Sequence, residues 1–287
     1  MNFDANFYAI IDAAFKEDIG EGDHSTLSCF PAETMGKAVL KIKQDCILAG
    51  MEVAEKIFQH RHLPTKFTAF KKDGDAVKFG EIAFEVEAPI HTILECERLV
   101  LNCMQRMSGI ATLTNTYVRE LQGLNTKLLD TRKTTPNFRL FEKEAVKIGG
   151  GVNHRFGLYD MIMLKDNHID FSGGLENAID NAWKYVGKNK PGLKIEVETR
   201  NIEDVKKVIS IGKNKVFRVM LDNFSVEDLQ QAVLLLKPEG FETEASGGIN
   251  LENCRAYAST GVDYISVGAL IHQAKSVDLS LKAVVKK

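Results

Sequence analysis

The sequence predicts a mixed α/β protein: an incomplete α/β barrel of about seven strands, preceded by a smaller α+β layer. Three observations carry that expectation. From residue 127 onward, short apolar runs alternate regularly with helical patterns. Before about residue 125 the elements are mixed and include hairpin signals. Hydrophobic residues make up 44% of the chain, enough to form a sizeable core and too many for a disordered chain.

The first half reads as follows. Residues 4–18 place Phe7, Ile10, Ile11, Ala14 and Phe15 on one helical face. The stretch KAVLKIKQDCIL at 37–48 reads as a strand. The run KFTAFKKDGDAVKFGEIAFEVEA at 66–88 reads as three strands separated by turns at Asp73-Gly74 and Phe79-Gly80. A helix or helix pair follows over 91–122, and its apolar stripe Leu94, Leu99, Leu101, Met104 and Met107 reads as core. The result is a small sheet with helices on one face.

In the second half, apolar runs occur at 127–130, 160–165, 193–197, 216–221, 241–245 and 263–267. Helical patterns fall at 139–148, 174–186, 202–211, 225–236 and 250–259. Strand and helix in alternation imply a parallel sheet, and right-handed crossovers put every strand's C-terminal end on one side. The number of units falls short of the usual eight, hence an incomplete barrel. An open doubly wound sheet is the alternative, weakened by the lack of a Gly-x-Gly-x-x-Gly after the first of these strands.

Composition excludes several classes. With 37 basic and 39 acidic side chains there is no global basic field, so a nucleic-acid partner is not expected. No apolar stretch approaches the roughly 20 residues that span a bilayer. The N-terminal MNFDANFYAIIDAAF lacks a basic leader and carries Asp4 and Asp12, so it does not read as a signal peptide. Cys29, Cys46, Cys96, Cys103 and Cys254 form no Cys-x-x-Cys pair and read as reduced thiols of a cytoplasmic protein. His60 and His62, two apart before Pro64, read as loop residues rather than metal ligands.

In a parallel barrel the chemistry collects where strands end. The ends here are Asp130-Thr131-Arg132-Lys133, Lys165-Asp166-Asn167-His168, Glu196 with Glu198, Asp222-Asn223, Glu244 with Ser246-Gly247-Gly248, and Ser266 with Gly268. Arg132, Lys133 and Lys165, with His154 and Arg155 nearby, are suited to gripping carboxylate or phosphate. The late glycine loops sit where barrels hold a phosphate on backbone N–H groups. Glu198 and Asp222, acids among cations, suit sugar hydroxyls or a magnesium ion.

Several strings carry a family resemblance in order along the chain: EDIGEGDHST (17–26), ECERLVLN (95–102), SGIAT (108–112), DTRKTTP (130–136), EKEAV (142–146), GGGVNHR (149–155), LKDNHI (164–169), IEVE (195–198), LDN (221–223), EASGGI (244–249) and TGVDYISVGAL (260–270). The chain resembles the quinolinate phosphoribosyltransferases. Asn137-Phe138 stands where the family pattern has Gly-Leu, Glu144 replaces an aromatic and Gln273 a serine.

The resemblance implies an N-terminal open-faced sandwich domain over 1–112, rejoined by 271–287, and a catalytic barrel over 113–270. It implies quinolinate and phosphoribosyl pyrophosphate as substrates, magnesium as the cofactor, and nicotinate mononucleotide, carbon dioxide and pyrophosphate as products. A related enzyme acting on nicotinate or another anionic acid is the alternative. It further implies a homodimer with a shared site, alone or within a hexamer. By motif, Arg98 reaches the partner's quinolinate site. Arg132, His154, Arg155 and Lys165 line that pocket, with Lys133 toward the phosphoribosyl group. Glu198 and Asp222 face the ribose and the magnesium pyrophosphate, and Ser246, Gly247, Gly248 and Gly268 hold the 5-phosphate. Lys133, Lys165, Glu198 and Asp222 are the implied catalytic set.

Overall fold

The computed structural model of the chain describes residues 3–284. Expectations that fall on residues 1–2 and 285–287 lie outside the described residues. The chain divides into two compact units. The first comprises Met1–Asn115, Thr134–Gly150 and Ile271–Lys287, the second Thr116–Lys133 and Gly151–Leu270. Thr134–Gly150 therefore groups with the first unit, whereas the division expected from sequence counted it with the second.

The strands among the described residues are β1 (Met35–Ile42), β2 (Cys46–Ile47), β3 (Lys66–Ala69), β4 (Ala76–Val77), β5 (Ile82–Pro89), β6 (Lys127–Leu129), β7 (Ile162–Leu164), β8 (Ile195–Thr199), β9 (Arg218–Asp222), β10 (Glu242–Ser246), β11 (Tyr264–Ser266) and β12 (Leu279–Ala283). In the first unit an antiparallel sheet runs in the order β12-β1-β5-β3, and β2 pairs with β4 separately. The single strand expected over 37–48 is thus two. The Asp45 carboxylate accepts the Phe79 N–H at 2.8 Å and the Lys78 ammonium at 2.9 Å, which pulls the chain out of the first ladder. Phe58 from the helix Met51–Arg61 meets Phe84 of β5 edge-on at 6.2 Å, and Phe67 of β3 packs on Phe84 at 4.5 Å.

The expected first helix spans Phe3–Ile19 and buries Phe7, Ile11 and Phe15, one residue per turn. The expected helix or helix pair is one helix, Ile90–Glu120. Its stripe buries Leu101, Met104 and Met107 but leaves Leu94 38% exposed; Cys96 and Val100 fill the core face instead. His60 lies in the helix Met51–Arg61 rather than a loop, with Nε2 2.6 Å from Asp12. Cys29 is exposed and the other four cysteines are buried, all as free thiols. Asn137 takes φ 60°, a left-handed conformation that suits glycine and that asparagine tolerates, which explains the exchange against the family pattern. Gly149 ends the helix Arg139–Ile148, where a Cβ would lie 2.5 Å from the Ala111 carbonyl oxygen. No helix among the described residues is long and apolar enough to cross a membrane.

The second unit is built on a six-stranded sheet in the order β6-β11-β10-β9-β8-β7, with every neighbouring pair parallel. Val152 forms one further parallel bridge to Leu129. Helices Leu175–Asn189, Ile202–Gly212, Val226–Leu236 and Cys254–Ser259 separate the later strands. Strand side chains alternate between faces, so the register sorts them. Val197, Val219, Leu221, Ala245 and Ile265 share one face and are 0% exposed. Each such valine, leucine or isoleucine contributes roughly 1.5–3 kcal/mol by burial. The opposite face carries Glu196, Glu198, Arg218, Asp222, Glu244, Ser246 and Ser266. The first face is apolar but for the buried, hydrogen-bonded Thr199 and Thr243, and the second, which also carries Met163 and Met220, gathers the charges that position the site.

Candidate active site

On the polar face the uppermost positions follow or close the strands. Lys165 comes directly after β7, Glu198 lies near the end of β8, Asp222 ends β9 and Ser246 ends β10. Lys165 Nζ lies 3.3 Å from Glu198 Oε2, and Glu198 is only 8% exposed. Arg132 and Lys133, beyond β6, are exposed. Arg155 is half-buried and donates from Nη1 to the Met161 carbonyl at 3.1 Å. Burial, and then the like charge of Arg132, hold its pKa below the usual guanidinium value. Arg98 belongs to the first unit, on the helix Ile90–Glu120, and is exposed.

The acid end is tied to the glycine loop. Asn223 Nδ2 donates to Asp222 Oδ2 at 2.6 Å, and Asn223 N–H donates to the Ser246 carbonyl at 2.8 Å. Gly247 and Gly248 follow with φ 93° and 63°, conformations that expose backbone N–H groups and favour glycine. Gly268 follows Ser266 by two residues at the end of β11. Asn223 also lines a cavity of about 350 Å³, together with Arg200, Asn201, Ser225 and Asp228 among others.

Below this rim the polar face is closed by buried charge. His154, expected to line an anion pocket, has a side chain only 4% exposed; its Nε2 lies 3.0 Å from Glu244 Oε2 and 3.2 Å from Glu196 Oε2. Glu196, expected at a strand end, sits inside β8 and is 0% exposed. Arg218 Nη1 reaches Glu244 at 3.1 Å, Nη2 reaches Glu242 at 2.8 Å, and the guanidinium lies 4.2 Å from the Tyr264 ring centroid. Asp130, fully buried, accepts the His154 N–H at 2.8 Å and the Asn153 amide at 2.5 Å, which fixes the backbone ahead of Arg155. Sequence reasoning passed over Arg218. The available signal was a charged residue at alternate positions within otherwise apolar strands, VFRVML beside FETEA.

Burial opposes charging of His154, yet the hydrogen bonds and charges of Glu196 and Glu244 outweigh it and push the ring pKa up to about 9. Burial, then the charge of Glu244, raises the Glu196 pKa, while Glu244, despite its burial, is held low by His154 and Arg218. His154 Nδ1 accepts the Arg155 N–H at 2.7 Å, so the ring proton belongs on Nε2, between the two carboxylates. With the ring pKa at about 9, the cluster as a whole holds one further proton at neutral pH, shared among His154, Glu196 and Glu244. His154, Glu196 and Glu244 also stand close enough, within 4.8 Å, to surround a metal ion. A ring ligating through Nε2 would carry its proton on Nδ1, facing the Arg155 N–H, so the geometry fits proton sharing and not a metal.

A parallel α/β sheet that gathers cations, acids and a glycine loop at the C-terminal ends of its strands defines an α/β enzyme scaffold for a small anionic substrate. Comparison with known proteins specifies it further. The model of the quinolinate phosphoribosyl transferase C-terminal domain matches residues 110–282, and that of the N-terminal domain matches residues 23–108. A nicotinate-nucleotide pyrophosphorylase [carboxylating] of Arabidopsis thaliana is 42% identical over 96% of this chain and 82% of its own length. A probable nicotinate-nucleotide pyrophosphorylase [carboxylating] of Bacillus subtilis is 41% identical over 95% of this chain and 91% of its own. The solved nicotinate-nucleotide pyrophosphorylase of Francisella tularensis superposes with a TM-score of 0.89 at 36% identity, covering 99% of this chain and 98% of that one. The chain belongs to the quinolinate phosphoribosyltransferase family.

Proposed function

We propose that this protein transfers the phosphoribosyl group of phosphoribosyl pyrophosphate to quinolinate, with loss of carbon dioxide, to give nicotinate mononucleotide and pyrophosphate for NAD biosynthesis. The observation that carries this reading is the polarity of one sheet: Lys165, Glu198 and Asp222 stand at or near the C-terminal ends of its strands, with Arg132 in the loop after β6 and Arg155 in the loop ahead of β7. Quinolinate bears two adjacent carboxylates, and converging cations suit a dianion. The strand order supports an incomplete barrel, because β7 to β11 are neighbours in chain order and β6 lies beside β11. Val152, bridged to Leu129, is the candidate for the seventh strand.

In this reading Arg132, Arg155 and Lys165 grip the carboxylates, and Arg98 of a second copy completes the pocket of a homodimer. Lys133 lies toward the phosphoribosyl group. Ser246, Gly247, Gly248 and Gly268 hold the 5-phosphate on backbone N–H groups. His154 acts from beneath, through the Arg155 backbone. Cleavage of the ribose–pyrophosphate bond builds positive charge on the sugar, which Glu198 and Asp222 stabilise. These two carboxylates, oxygen donors at the ends of adjacent strands, fit the hard-ligand demand of magnesium. Bound there, magnesium would neutralise the leaving pyrophosphate. The pyridine nitrogen attacks the anomeric carbon, and the protein's part is orientation. The resulting cationic ring stabilises the carbanion left by decarboxylation, which takes a proton from Lys133, Lys165 or water. A cytoplasmic location accords with the free thiols.

The test is to incubate the protein with phosphoribosyl pyrophosphate, magnesium and either quinolinate or nicotinate. Nicotinate mononucleotide from quinolinate alone is the expected result. Product from nicotinate alone would move the assignment to the alternative enzyme.

A further inference from the structure

We infer that Asn223 is a positioning residue whose side-chain amide fixes the Asp222 carboxylate and locks it to the Ser246–Gly248 loop. The inference rests on the reading of Asp222 and that loop as the phosphoribosyl pyrophosphate side of the site. Three contacts converge on Asn223. Its Nδ2 donates to Asp222 Oδ2 at 2.6 Å, and its backbone N–H donates to the Ser246 carbonyl at 2.8 Å. Its Oδ1 lies against Gly247, where an added Cβ would stand 2.2 Å from Oδ1 and 2.6 Å from Cγ. The amide has one chemically consistent orientation, since the reverse would set Oδ1 against a carboxylate oxygen.

The backbone supports the same role. Asn223 takes φ 57°, which most side chains resist and which asparagine tolerates at low cost. Tyr257 Oη donates to the Phe224 carbonyl at 3.0 Å and pins the next residue. Gly247 has φ 93° and is glycine both for its conformation and for the amide it packs on. The carboxylate that faces the sugar and the loop that faces the phosphate thus move as one body. Two parts of the same extended substrate are held at fixed separation.

The test compares Asn223→Gly and Asn223→Asp, both of which accept the left-handed backbone, with Asp222→Ala as a reference. Steady-state kinetics are read with each substrate varied, together with quinolinate affinity for the free enzyme and the thermal midpoint. Loss of an orienting partner of this kind lowers kcat/KM for phosphoribosyl pyrophosphate by about 10- to 100-fold, with quinolinate affinity within about twofold of wild type. Asn223→Asp is the more damaging, because it turns a donor into a second carboxylate. Two outcomes overturn the inference: near-wild-type phosphoribosyl pyrophosphate kinetics in both Asn223 variants, or an equal loss of affinity for both substrates. Asp222→Ala separates the two claims. If it leaves phosphoribosyl pyrophosphate use intact, the reading of Asp222 fails; if it alone is impaired, the role of Asn223 fails.

Discussion

Replacing Arg218 by methionine tests whether the charged layer beneath the rim is an integral part of the fold. Arg218 is 8% exposed and holds Glu242 at 2.8 Å and Glu244 at 3.1 Å, with Glu196 at 4.0 Å. Glu244 is 0% exposed, so without the guanidinium its carboxylate keeps only His154 and Ser266 against the repulsion of Glu196. Breaking a buried pair from one side costs about 3–5 kcal/mol, because a charge remains without its counterion. Methionine retains much of the aliphatic stem, so little of the loss comes from packing. For a domain of this size, that corresponds to a fall in thermal midpoint of roughly 6–20 °C. Urea unfolding at neutral pH, monitored by circular dichroism, gives the free energy directly. Adding Glu244→Leu should recover part of the loss, a coupling that a double-mutant cycle reads out. A loss under about 1 kcal/mol for Arg218→Met, the range of exposed ion pairs, would refute the reasoning.

Further outcomes follow from the same geometry. The His154 cluster retains a proton after the unfolded chain has released it, since the ring pKa rises from 6.5 to about 9. Stability is therefore fully present below about pH 6.5 and declines as pH rises toward about 9, and His154→Asn should flatten that slope; an unchanged slope would contradict the assignment. Glu244, whose pKa is depressed, acts in the opposite sense, and its contribution is lost as pH falls below the ordinary glutamate value. Arg132→Ala and Arg155→Ala should each weaken quinolinate binding by about 2–4 kcal/mol in calorimetric titration, and wild-type affinity in both would exclude the pocket. Arg98→Ala dimers should regain activity when mixed with dimers of a second inactive variant such as Lys165→Ala, measured after subunit exchange. No recovery in confirmed mixed dimers would count against a shared site.

Much of this was legible in the sequence, and the exceptions have physical causes. The apolar runs at 193–197 and 216–221 became β8 (Ile195–Thr199) and β9 (Arg218–Asp222), because a strand packed on helices needs alternate apolar residues and ends where polar ones begin. Lys165, Glu198, Asp222 and Ser246 fell at those ends for the same reason. Arg218 escaped notice, and Glu244 was read as a strand-end group rather than a buried one, because a charge at alternate positions in a strand ordinarily marks a solvent face. Here the register sets them against His154 and Glu196 instead. The pairing of β12 with β1 joins Leu281 to Leu40, partners too distant in sequence for any local pattern to connect. The helix Met51–Arg61 buries Ala54, Ile57 and Phe58 within a segment dominated by Glu, Lys, Gln, His and Arg, which blurred its apolar face. The side chain of His154 turned inward because Asp130 and the Arg155 N–H hold its backbone and ring, a constraint visible only in three dimensions.

The most direct measurement uses quinolinate labelled in the carboxylate next to the ring nitrogen. Labelled carbon dioxide should appear only when phosphoribosyl pyrophosphate and magnesium are both present, in equal amount with nicotinate mononucleotide, and should vanish in Arg155→Ala at the same substrate concentration. Release of label without phosphoribosyl pyrophosphate, or undiminished release by Arg155→Ala, would contradict a site in which these cations hold the dianion for attack on the sugar.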